Sequence, residues 1–238
     1  GLPWLPKHDI LSYEEIAEVV RQLAPMGLRR VRITGGEPTI RPQLSTLIRQ
    51  LRETPEVEDI ALSTNGVRLP ELARELAAAG LDRVNMSSDS LRAERIAAIA
   101  RRDLRFDPIA AATAAQQAGL APIKLNVVVM RGINDDELLD FAQLTLDRPW
   151  HVRFIELMPV GEMAMLSDAH VVPSDEVLAR AAEVGDLRPA AGPGGNGPAV
   201  YHAFAGAAGT IGVITPMSHT YCATCNRVRL TADGDQPA

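Results

Sequence analysis

The stretch Val31-Arg32-Ile33-Thr34-Gly35-Gly36-Glu37-Pro38 sets the pattern that the rest of the chain follows. Its first four residues form a short apolar run that is typical of a buried strand, and two glycines then turn the chain. A second run, at residues 60–63, ends in a similar way at Thr64-Asn65-Gly66. Residues with helical spacing lie between the two runs, so the sequence predicts a strand, a helix and a second strand in succession.

The alternation of strands and helices continues on both sides of this stretch. Upstream, Ser12 and Glu15 have the spacing of a capping box, which predicts a helix that ends near Gly27. Five predicted strands separated by helices favour parallel pairing through right-handed crossovers, and therefore an α/β fold. The predicted strands are residues 31–34, 60–63, 83–88, 123–130 and 152–157, and the later helices are residues 42–51, 72–79, 91–100, 108–117 and 136–146.

The alternation stops after Met158. A helix, a connector rich in glycine and proline, and short strands of antiparallel type follow it. We therefore expect two parts, residues 1–155 and residues 156–238. The elements predicted in the second part are a helix over residues 174–184, the connector over residues 191–198, and strands over residues 199–204, 210–215 and 227–231.

The composition excludes several classes of protein. The chain has 238 residues, of which 46% are hydrophobic and 23% are charged, and this balance excludes a disordered chain or a disulfide scaffold. No apolar run approaches the roughly 18 residues that a membrane-spanning helix needs. The net charge of -6 argues against a general nucleic-acid binder but is compatible with a local basic pocket.

Polar residues and glycines cluster on the predicted strands and directly after them. Because ligands of parallel α/β units bind at the carboxyl ends of the strands, these groups indicate a site there, although each cluster alone is more often structural. Gly35 and Gly36 let backbone amides approach a charged ligand, and Glu37 can accept from an ammonium group, which together suits an amino acid moiety. The other polar groups are Ser63, Thr64, Asn65, Ser87, Ser88, Asp89, Lys124, Asn126, Arg153 and Glu156.

Lys124 is unusual in this sequence. The 24 basic residues include only two lysines, Lys7 and Lys124, and Lys124 lies inside an apolar run. A lysine in a chain that otherwise uses arginine indicates a need for a compact point charge. The alternative is a residue on the outer face or at the edge of the sheet.

The only two cysteines, Cys222 and Cys225, are separated by two residues. This spacing suits a metal ion or an iron–sulfur cluster, but two ligands are incomplete. Arg227 and Arg229 alternate on a predicted strand, so both guanidiniums would face one side, as a polyphosphate or a purine edge requires. The alternative is a reduced, exposed cysteine pair followed by an ordinary charged strand.

Several motifs resemble those of radical S-adenosylmethionine (SAM) enzymes, and some of them are similar to one family, the GTP 3′,8-cyclases of molybdenum cofactor biosynthesis. The resemblance covers residues 10–234. The general motifs are Ile33-Thr34-Gly35-Gly36-Glu37-Pro38, Ser63-Thr64-Asn65-Gly66, Asn85-Met86-Ser87-Ser88-Asp89-Ser90 and Lys124-Leu125-Asn126-Val127-Val128. The family-specific motifs are Gly132-Ile133-Asn134-Asp135, Arg153-Phe154-Ile155-Glu156-Leu157-Met158 and Cys222-x-x-Cys225-Asn226-Arg227-x-Arg229-Leu230-Thr231.

The resemblance implies a fold and a reaction. The fold is an incomplete (β/α)6 TIM-like barrel that lacks its first strand and carries a C-terminal α+β extension. In the family, a reduced [4Fe–4S] cluster cleaves SAM, and the resulting radical removes the 3′ hydrogen of GTP. The ribose radical attacks C8 of guanine, which gives (8S)-3′,8-cyclo-7,8-dihydroguanosine 5′-triphosphate. A second [4Fe–4S] cluster binds the guanine.

The resemblance also implies roles for individual residues. Arg153 is a candidate for quenching the product radical, and Cys222 and Cys225 are two of the three ligands of the second cluster. The resemblance implies that Gly36, Ser87 and Met158 bind SAM, and Gly35 and Glu37, which suit an amino acid moiety, complete the predicted cofactor-binding set. The implied GTP-binding residues are Arg32, Ser63, Lys124, Arg227, Val228 and Arg229.

The sequence departs from the family pattern at three places. The Cys-x3-Cys-x2-Cys motif of the SAM cluster would precede Gly1, and the third ligand of the second cluster would follow Asp235, within a few residues of Ala238. We therefore expect the chain as given to be an inactive fragment without an intact second cluster, in which residues 219–238 are poorly fixed. Ser88 also stands where the family more often has leucine.

The resemblance implies a cytoplasmic homodimer whose product is consumed by a cyclic pyranopterin monophosphate synthase, with no nucleic-acid or membrane partner. Two alternatives remain open from the sequence. One is another radical SAM enzyme, with an auxiliary cluster for a peptide substrate. The other is a non-catalytic remnant that binds a nucleotide or a metal.

Overall fold

A computed structural model describes residues 6–103, 106–158, 168–194, 197–218 and 226–234. Its strands form one open sheet in the order β1-β2-β3-β4-β5-β8-β7-β6, in which the first five are parallel to one another. The strands are β1 (Arg30–Ile33), β2 (Asp59–Thr64), β3 (Arg83–Ser87), β4 (Ile123–Val129), β5 (Trp150–Glu156), β6 (Leu187–Pro189), β7 (Val200–Phe204) and β8 (Thr210–Ile214).

Helices connect the parallel strands, as the sequence predicts. Ser12 and Glu15 form the predicted capping box at the start of the first helix, and Gly27 ends the following short turn with a φ of 103°. The helices are α1 (Tyr13–Leu23), α2 (Leu44–Arg52), α3 (Leu69–Ala78), α4 (Ala93–Ala100), α5 (Pro108–Gln117), α6 (Leu138–Asp147) and α7 (Ser174–Ala181). Within the described ranges, none of them is long and apolar enough to cross a membrane.

The apolar side chains of alternate strand positions pack with the helices into one core. Fully buried strand residues such as Leu62, Val84 and Leu125 belong to the same cluster as Ile48 of α2 and Phe141 of α6. This burial supplies the main stabilisation, at roughly 1.5 to 3 kcal/mol for each large side chain removed from water. The helices therefore cover one face of the parallel strands.

The opposite face of the same strands is polar. Side chains on a strand alternate between faces, and the pairing register aligns the polar positions of neighbouring strands. A buried parallel sheet ordinarily has apolar residues on both faces, so this alternation marks a face that serves another purpose. The aligned rows are Arg32, Ala61 and Arg83; Ser63, Asn85, Lys124, His151 and Thr210; and Ser87, Asn126, Arg153, Gly212 and Tyr201.

The C-terminal strands extend this sheet. β8 pairs in parallel with β5, and β7 and β6 follow in antiparallel order, so one sheet crosses the predicted boundary between residues 155 and 156. The strands over residues 199–204 and 210–215 are confirmed with small shifts of their ends. β6 was not predicted, because a three-residue edge strand that ends in Pro189 leaves almost no pattern.

The predicted strand over residues 227–231 is wrong. Residues 226–231 belong to no strand, and residues 226–229 are exposed. The backbone next to them bonds elsewhere, since the Leu11 amide donates to the carbonyl oxygen of Ala232 at 2.8 Å. Arginine alternates with apolar residues in this segment, but none of the described strands pairs with it. The alternation alone therefore does not produce a strand.

Candidate functional site

A cavity of about 200 Å³ lies on the polar face of the sheet. Four cationic side chains from four different strands line it, together with Tyr201 of β7 and the glycine-rich connector. Parallel pairing brings these strands side by side, so residues far apart in sequence meet here. The lining residues are Arg32, Arg83, Lys124, Arg153, Gly192, Gly194, Gly197, Ala199 and Tyr201.

Lys124 lies inside this cavity and not at the edge of the sheet. It is 4% exposed, and its ammonium donates to the carbonyl oxygen of Gly194 at 3.1 Å. Burial, together with the nearby charges of Arg83, Arg153 and Arg32, lowers the pKa of Lys124 to about 8, while the charge of Asp59 opposes them. The position thus excludes the outer-face alternative and leaves a cation that an anionic ligand would stabilise.

Arg83 and Asp59 form an ion pair that the sequence analysis missed. The Nε and Nη2 of Arg83 donate to Oδ1 and Oδ2 of Asp59 at 2.7 and 2.6 Å. Burial acts to raise the pKa of Asp59, but the hydrogen bonds and charge of Arg83 hold it below its ordinary value. The carboxylate therefore stays ionised and keeps the guanidinium in one orientation.

Arg153 occupies the centre of the polar face. It is 5% exposed, its Nε donates to Oδ1 of Asn126 at 2.8 Å, and its Nη2 donates to Oδ1 of Asn85 at 3.1 Å. Burial lowers its pKa, although a hydrogen bond with Tyr201 opposes that effect. Two amide oxygens and a phenol thus satisfy this buried cation without a carboxylate.

Arg32, which lines the cavity, is close enough to Arg227 of the C-terminal segment to feel its charge. Burial lowers the pKa of Arg32, and the charges of Arg83, Arg153 and Arg227 lower it further. Arg227 therefore lies close enough to Arg32, which lines the cavity, for their charges to interact, and its role in GTP binding stays a prediction. Val228 is 59% exposed and Arg229 is also exposed, so the structure does not bring these two into the cavity lining.

The predicted cluster ligands Cys222 and Cys225 lie outside the described residues, as does most of the 219–238 segment that we expected to be poorly fixed. The structure does show how the chain approaches them. The buried carboxylate of Glu156, at the end of β5, accepts hydrogen bonds from the backbone and hydroxyl of Ser218 at 3.1 and 2.6 Å. In the part of the chain that is described, no group of three His, Cys, Asp or Glu side chains is placed to hold a metal ion.

The loop after β1 fits the predicted approach of a ligand to its backbone. A Cβ added at Gly35 or Gly36 would meet no atom within 4 Å, so packing does not require glycine at either position. Open space beside bare backbone is what close contact with the methionine part of SAM needs. Ser87, the last residue of β3, and Met158, two residues after β5, lie at the same carboxyl edge and are exposed, so they are accessible to such a ligand.

Glu37 joins two of the loops at this edge. Its Oε1 accepts from the Thr39 amide and hydroxyl at 3.0 and 2.5 Å and from the Thr64 hydroxyl at 2.7 Å. Its Oε2 accepts from the Asn65 amide at 2.6 Å. Oε1 is fully used, so only Oε2 has capacity left for the ammonium group that the sequence analysis assigned to Glu37.

Ser88, Asp89 and Asn134 hold the loops after β3 and β4 in place. The Ser88 hydroxyl is buried and donates to the carbonyl oxygen of Ser90 at 3.0 Å, so serine is accommodated where the family more often has leucine. Asp89 accepts from the Val128 amide at 2.8 Å, and Asn134 Nδ2 donates to the carbonyl oxygens of Asp89 and Val128. These motif residues therefore fix the positions of the two loops through hydrogen bonds.

His151 lies next to Lys124 in the pairing register of β4 and β5. Burial lowers the pKa of His151 to about 4, and the charges of Lys124 and Arg153 contribute to this lowering. Its Nδ1 is 2.8 Å from the hydroxyl of Thr210. The imidazole is therefore neutral near pH 7 and adds no charge to the cavity.

Two parts of the chain match two different protein families. Residues 3–145 match the Radical SAM superfamily. Residues 150–236 match Molybdenum Cofactor Synthesis C.

Curated relatives carry one common name. The chain is 49% identical over 236 residues to a GTP 3′,8-cyclase of Heliobacterium modesticaldum and 48% identical over 235 residues to one of Pelotomaculum thermopropionicum. A third, of Moorella thermoacetica, is 47% identical over 234 residues. Each match covers 98% of this chain and 72% of the relative.

Solved structures show the same fold at low sequence identity. A radical SAM methyltransferase from Sphaerobacter thermophilus matches with a TM-score of 0.53 and 19% identity, over 72% of this chain and 52% of that one. The coproporphyrinogen III oxidase of Escherichia coli matches with a TM-score of 0.51 and 16% identity, over 72% of this chain and 45% of that one. These likenesses confirm the predicted α/β fold of radical SAM type, with a sheet that is open in the described residues.

Proposed function

The chain belongs to the GTP 3′,8-cyclase family of radical SAM enzymes, and from this premise we propose that it cyclises GTP to (8S)-3′,8-cyclo-7,8-dihydroguanosine 5′-triphosphate. This is the first step of molybdopterin biosynthesis. The observation that carries the proposal is the cavity that Arg32, Lys124 and Arg153 line on the polar face of the sheet, because it supports an anion site. The open glycine loop after β1 supports a second site, for SAM, at the carboxyl edge of the same strands.

The carboxyl edge is proposed as the SAM site. When bound there, SAM and a reduced [4Fe–4S] cluster supply the 5′-deoxyadenosyl radical that abstracts the 3′ hydrogen of GTP. The backbone of Gly35 and Gly36 binds the methionine part, and Oε2 of Glu37 accepts from its ammonium group. Ser87 and Met158 contact the rest of the molecule from the ends of β3 and β5.

The cavity is proposed as the triphosphate site. Drug-sized ligands occupy pockets of about 300 to 1,000 Å³, so a cavity of about 200 Å³ fits the triphosphate and not the whole nucleotide. Lys124 and Arg32 bind the phosphate oxygens, and Ser63 lies on the same face, one strand from Asn85. Arg153, which Asn85 and Asn126 hold in one orientation, is proposed to take part in quenching the product radical by donating a proton, while a reduced iron–sulfur cluster would supply the electron.

The guanine is proposed to bind toward the C-terminal segment. Arg227 acts on Arg32 from that side, and Val228 and Arg229 follow it in sequence. Cys222 and Cys225 are proposed as two ligands of a second [4Fe–4S] cluster, which would bind the guanine through an iron that carries no protein thiolate. Glu156 positions the chain that leads to these cysteines by its bonds to Ser218.

Several finer proposals rest on family membership. Residues 1–238 contain two cysteines, fewer than two clusters require, so we propose that these residues alone do not cleave SAM. A cytoplasmic homodimer, a downstream cyclic pyranopterin monophosphate synthase and a functional division at residues 155 and 156 are proposed in the same way.

The test is turnover with defined substrates. The full-length natural protein with reconstituted clusters is incubated anaerobically with SAM, a reductant and either GTP or UTP, and the products are identified by mass spectrometry. We expect 5′-deoxyadenosine and a cyclised guanosine triphosphate with GTP only. A peptide product in a cell extract, with none from GTP, would favour the radical SAM alternative with a peptide substrate. Absence of SAM cleavage in every case would favour the non-catalytic remnant.

A further inference from the structure

Arg83 is the one cavity-lining cation to which neither the sequence analysis nor the proposed function gives a role. It is the first residue of β3 and is 8% exposed. Two of its three donor nitrogens are bound by Asp59. Its third nitrogen, Nη1, is buried and has no hydrogen-bond acceptor among the described residues. A buried donor without an acceptor costs free energy that an entering acceptor removes.

We propose that Arg83 is a further substrate-binding residue, which donates from Nη1 to a phosphate oxygen of the bound nucleotide while Asp59 holds the guanidinium in place. This inference rests on the proposed function, since it names an additional contact to the substrate of that site. Asp59 acts as a positioning residue and does not touch the substrate.

A second ion pair in the same protein shows what a purely structural arginine looks like. Arg52 pairs with Asp82, and its Nε and Nη2 also donate to the carbonyl oxygen of Gly80 at 3.1 and 2.8 Å. Its Nη1 donates to the carbonyl oxygen of Val57 at 3.1 Å. Arg52 thus uses all three donor nitrogens, whereas Arg83, which is more deeply buried, leaves one unused.

The charge balance of the cavity also favours an anion, because the described residues that line it include four cationic side chains and no carboxylate. The charge of nearby Asp59, whose oxygens bind Arg83, opposes the lowering of the Lys124 and Arg32 pKa values but does not cancel it. Burial and mutual repulsion lower the pKa values of Arg32, Lys124 and Arg153 together. A ligand with several negative charges relieves that repulsion, and a triphosphate provides them.

The geometry of the pair favours phosphate as the acceptor. A guanidinium is a planar fork of donors that matches phosphate oxygens, and one that is already held in place loses little side-chain entropy when the ligand arrives. Nη1 is shielded from water, so a phosphate reaches it only when the cavity wall moves slightly. Gly194 lines the same cavity, and a phosphate that binds Lys124 would replace the bond between Lys124 and Gly194, which would free this part of the wall.

The experiment measures binding by calorimetry in the full-length, cluster-loaded protein, with inorganic tripolyphosphate, GTP, UTP and guanosine as probes. We expect Arg83→Met to lower the affinity for tripolyphosphate and for GTP by roughly 10- to 100-fold, because a charge-assisted hydrogen bond is lost. The affinity for guanosine should change by less than about twofold. Arg52→Met is the matched control, and it should lower the melting temperature without changing any of the four affinities.

A conservative variant covers the case in which Arg83→Met does not fold. Arg83→Lys keeps an ion pair with Asp59 but lacks the planar fork, so it should retain stability and still lose affinity for tripolyphosphate and GTP. Unchanged tripolyphosphate and GTP affinity in the folded variant would overturn the inference, and so would an equal loss for guanosine and GTP.

The same probes separate this inference from the proposed function. Wild-type protein that binds GTP no more tightly than UTP would contradict the proposed substrate, whatever Arg83→Met does to tripolyphosphate. Tight GTP binding in the wild type together with unchanged affinity in the Arg83 variants would leave the proposed function standing and remove Arg83 from it.

Discussion

The Lys124 ammonium donates a hydrogen bond to the carbonyl oxygen of Gly194, 3.1 Å away and 70 residues further along the chain. This contact joins the polar face of the parallel strands to the connector that covers it. Lys124, which the sequence predicts to be a cation for a ligand, therefore has a backbone carbonyl as its hydrogen-bond partner in this structure. A carbonyl leaves the charge uncompensated, so a phosphate is the better partner for it.

Lys124→Met tests this assignment directly. The methionine keeps most of the volume of the side chain but removes the charge, so GTP affinity should fall by roughly 10- to 100-fold while SAM affinity changes little. Calorimetric titration with each ligand measures both. Arg188→Met, which removes an exposed cation outside the cavity, is the control and should leave both affinities unchanged. Equal losses for GTP and SAM with a lower melting temperature would indicate a structural role.

GTP binding should also depend on pH through Lys124. Its pKa of about 8 is set by burial and by Arg83, Arg153 and Arg32 against Asp59, and neighbouring His151 is neutral at that pH. A bound polyanion raises this pKa, so the complex keeps a proton that the free protein loses. Affinity should therefore fall as pH rises above about 8, by at most about tenfold per unit.

Titrations between pH 7 and 9 measure this slope. Phosphate ionises with a pKa of about 6, so it is about nine-tenths ionised at pH 7 and contributes almost no slope above pH 8. In Lys124→Arg the cation does not titrate, so the slope should vanish. A slope that persists in this variant would assign the proton to another group.

The sequence predicts the elements of this fold better than it predicts the site. Each helix and parallel strand has its own local signal, such as the capping box of Ser12 and Glu15. The Arg83–Asp59 pair has none, because 24 residues separate the two and only the register of β2 against β3 brings them together. The alternation of Arg83 with Asn85, and of Lys124 with Asn126, does indicate a polar face once the strands are known. Even so, it does not show which side chains pair across that face.

Gly36→Leu should separate ligand approach from folding. A Cβ at Gly36 meets no atom within 4 Å, so the variant should fold with a change in unfolding free energy of about 0.5 kcal/mol or less. The larger side chain should block the backbone from SAM and abolish formation of 5′-deoxyadenosine. Gly36→Ala, which adds only a methyl group, should retain part of the activity. Normal 5′-deoxyadenosine production by Gly36→Leu would refute the assignment.

His151 should make the protein less stable in acid. Its pKa is about 4 in the folded protein and near 6.5 when unfolded, so the unfolded chain binds more protons between these values. Stability is therefore lost as pH falls below 6.5. His151→Gln can still bond Thr210, and its unfolding free energy should fall by about 1 to 2 kcal/mol less than that of wild type between pH 7 and pH 5. Urea unfolding at both values measures this, and the exposed His8→Gln should behave like wild type.

Glu37→Gln decides between a structural and a ligand-binding role for this carboxylate. Four donors from Thr39, Thr64 and Asn65 surround it, and an amide would turn an NH2 group toward at least one of them. We expect a loss of about 1 to 3 kcal/mol in unfolding free energy, because buried donors lose their acceptor. Glu75→Gln, where the structure gives a single side-chain hydrogen bond, from Ser45, is the matched control and should lose less.

The accompanying change in SAM binding completes the test of Glu37. Oε2 has one donor in the structure and one remaining acceptor position, so the carboxylate can support the loop and receive the SAM ammonium at once. Glu37→Gln should therefore lower the binding affinity for SAM by a larger factor than the affinity for SAM analogues that lack the amino group. An equal loss of affinity for both ligands would show that Glu37 only supports the loop. A direct contact with the ammonium group would lower the affinity for SAM more than that for an analogue without the amino group.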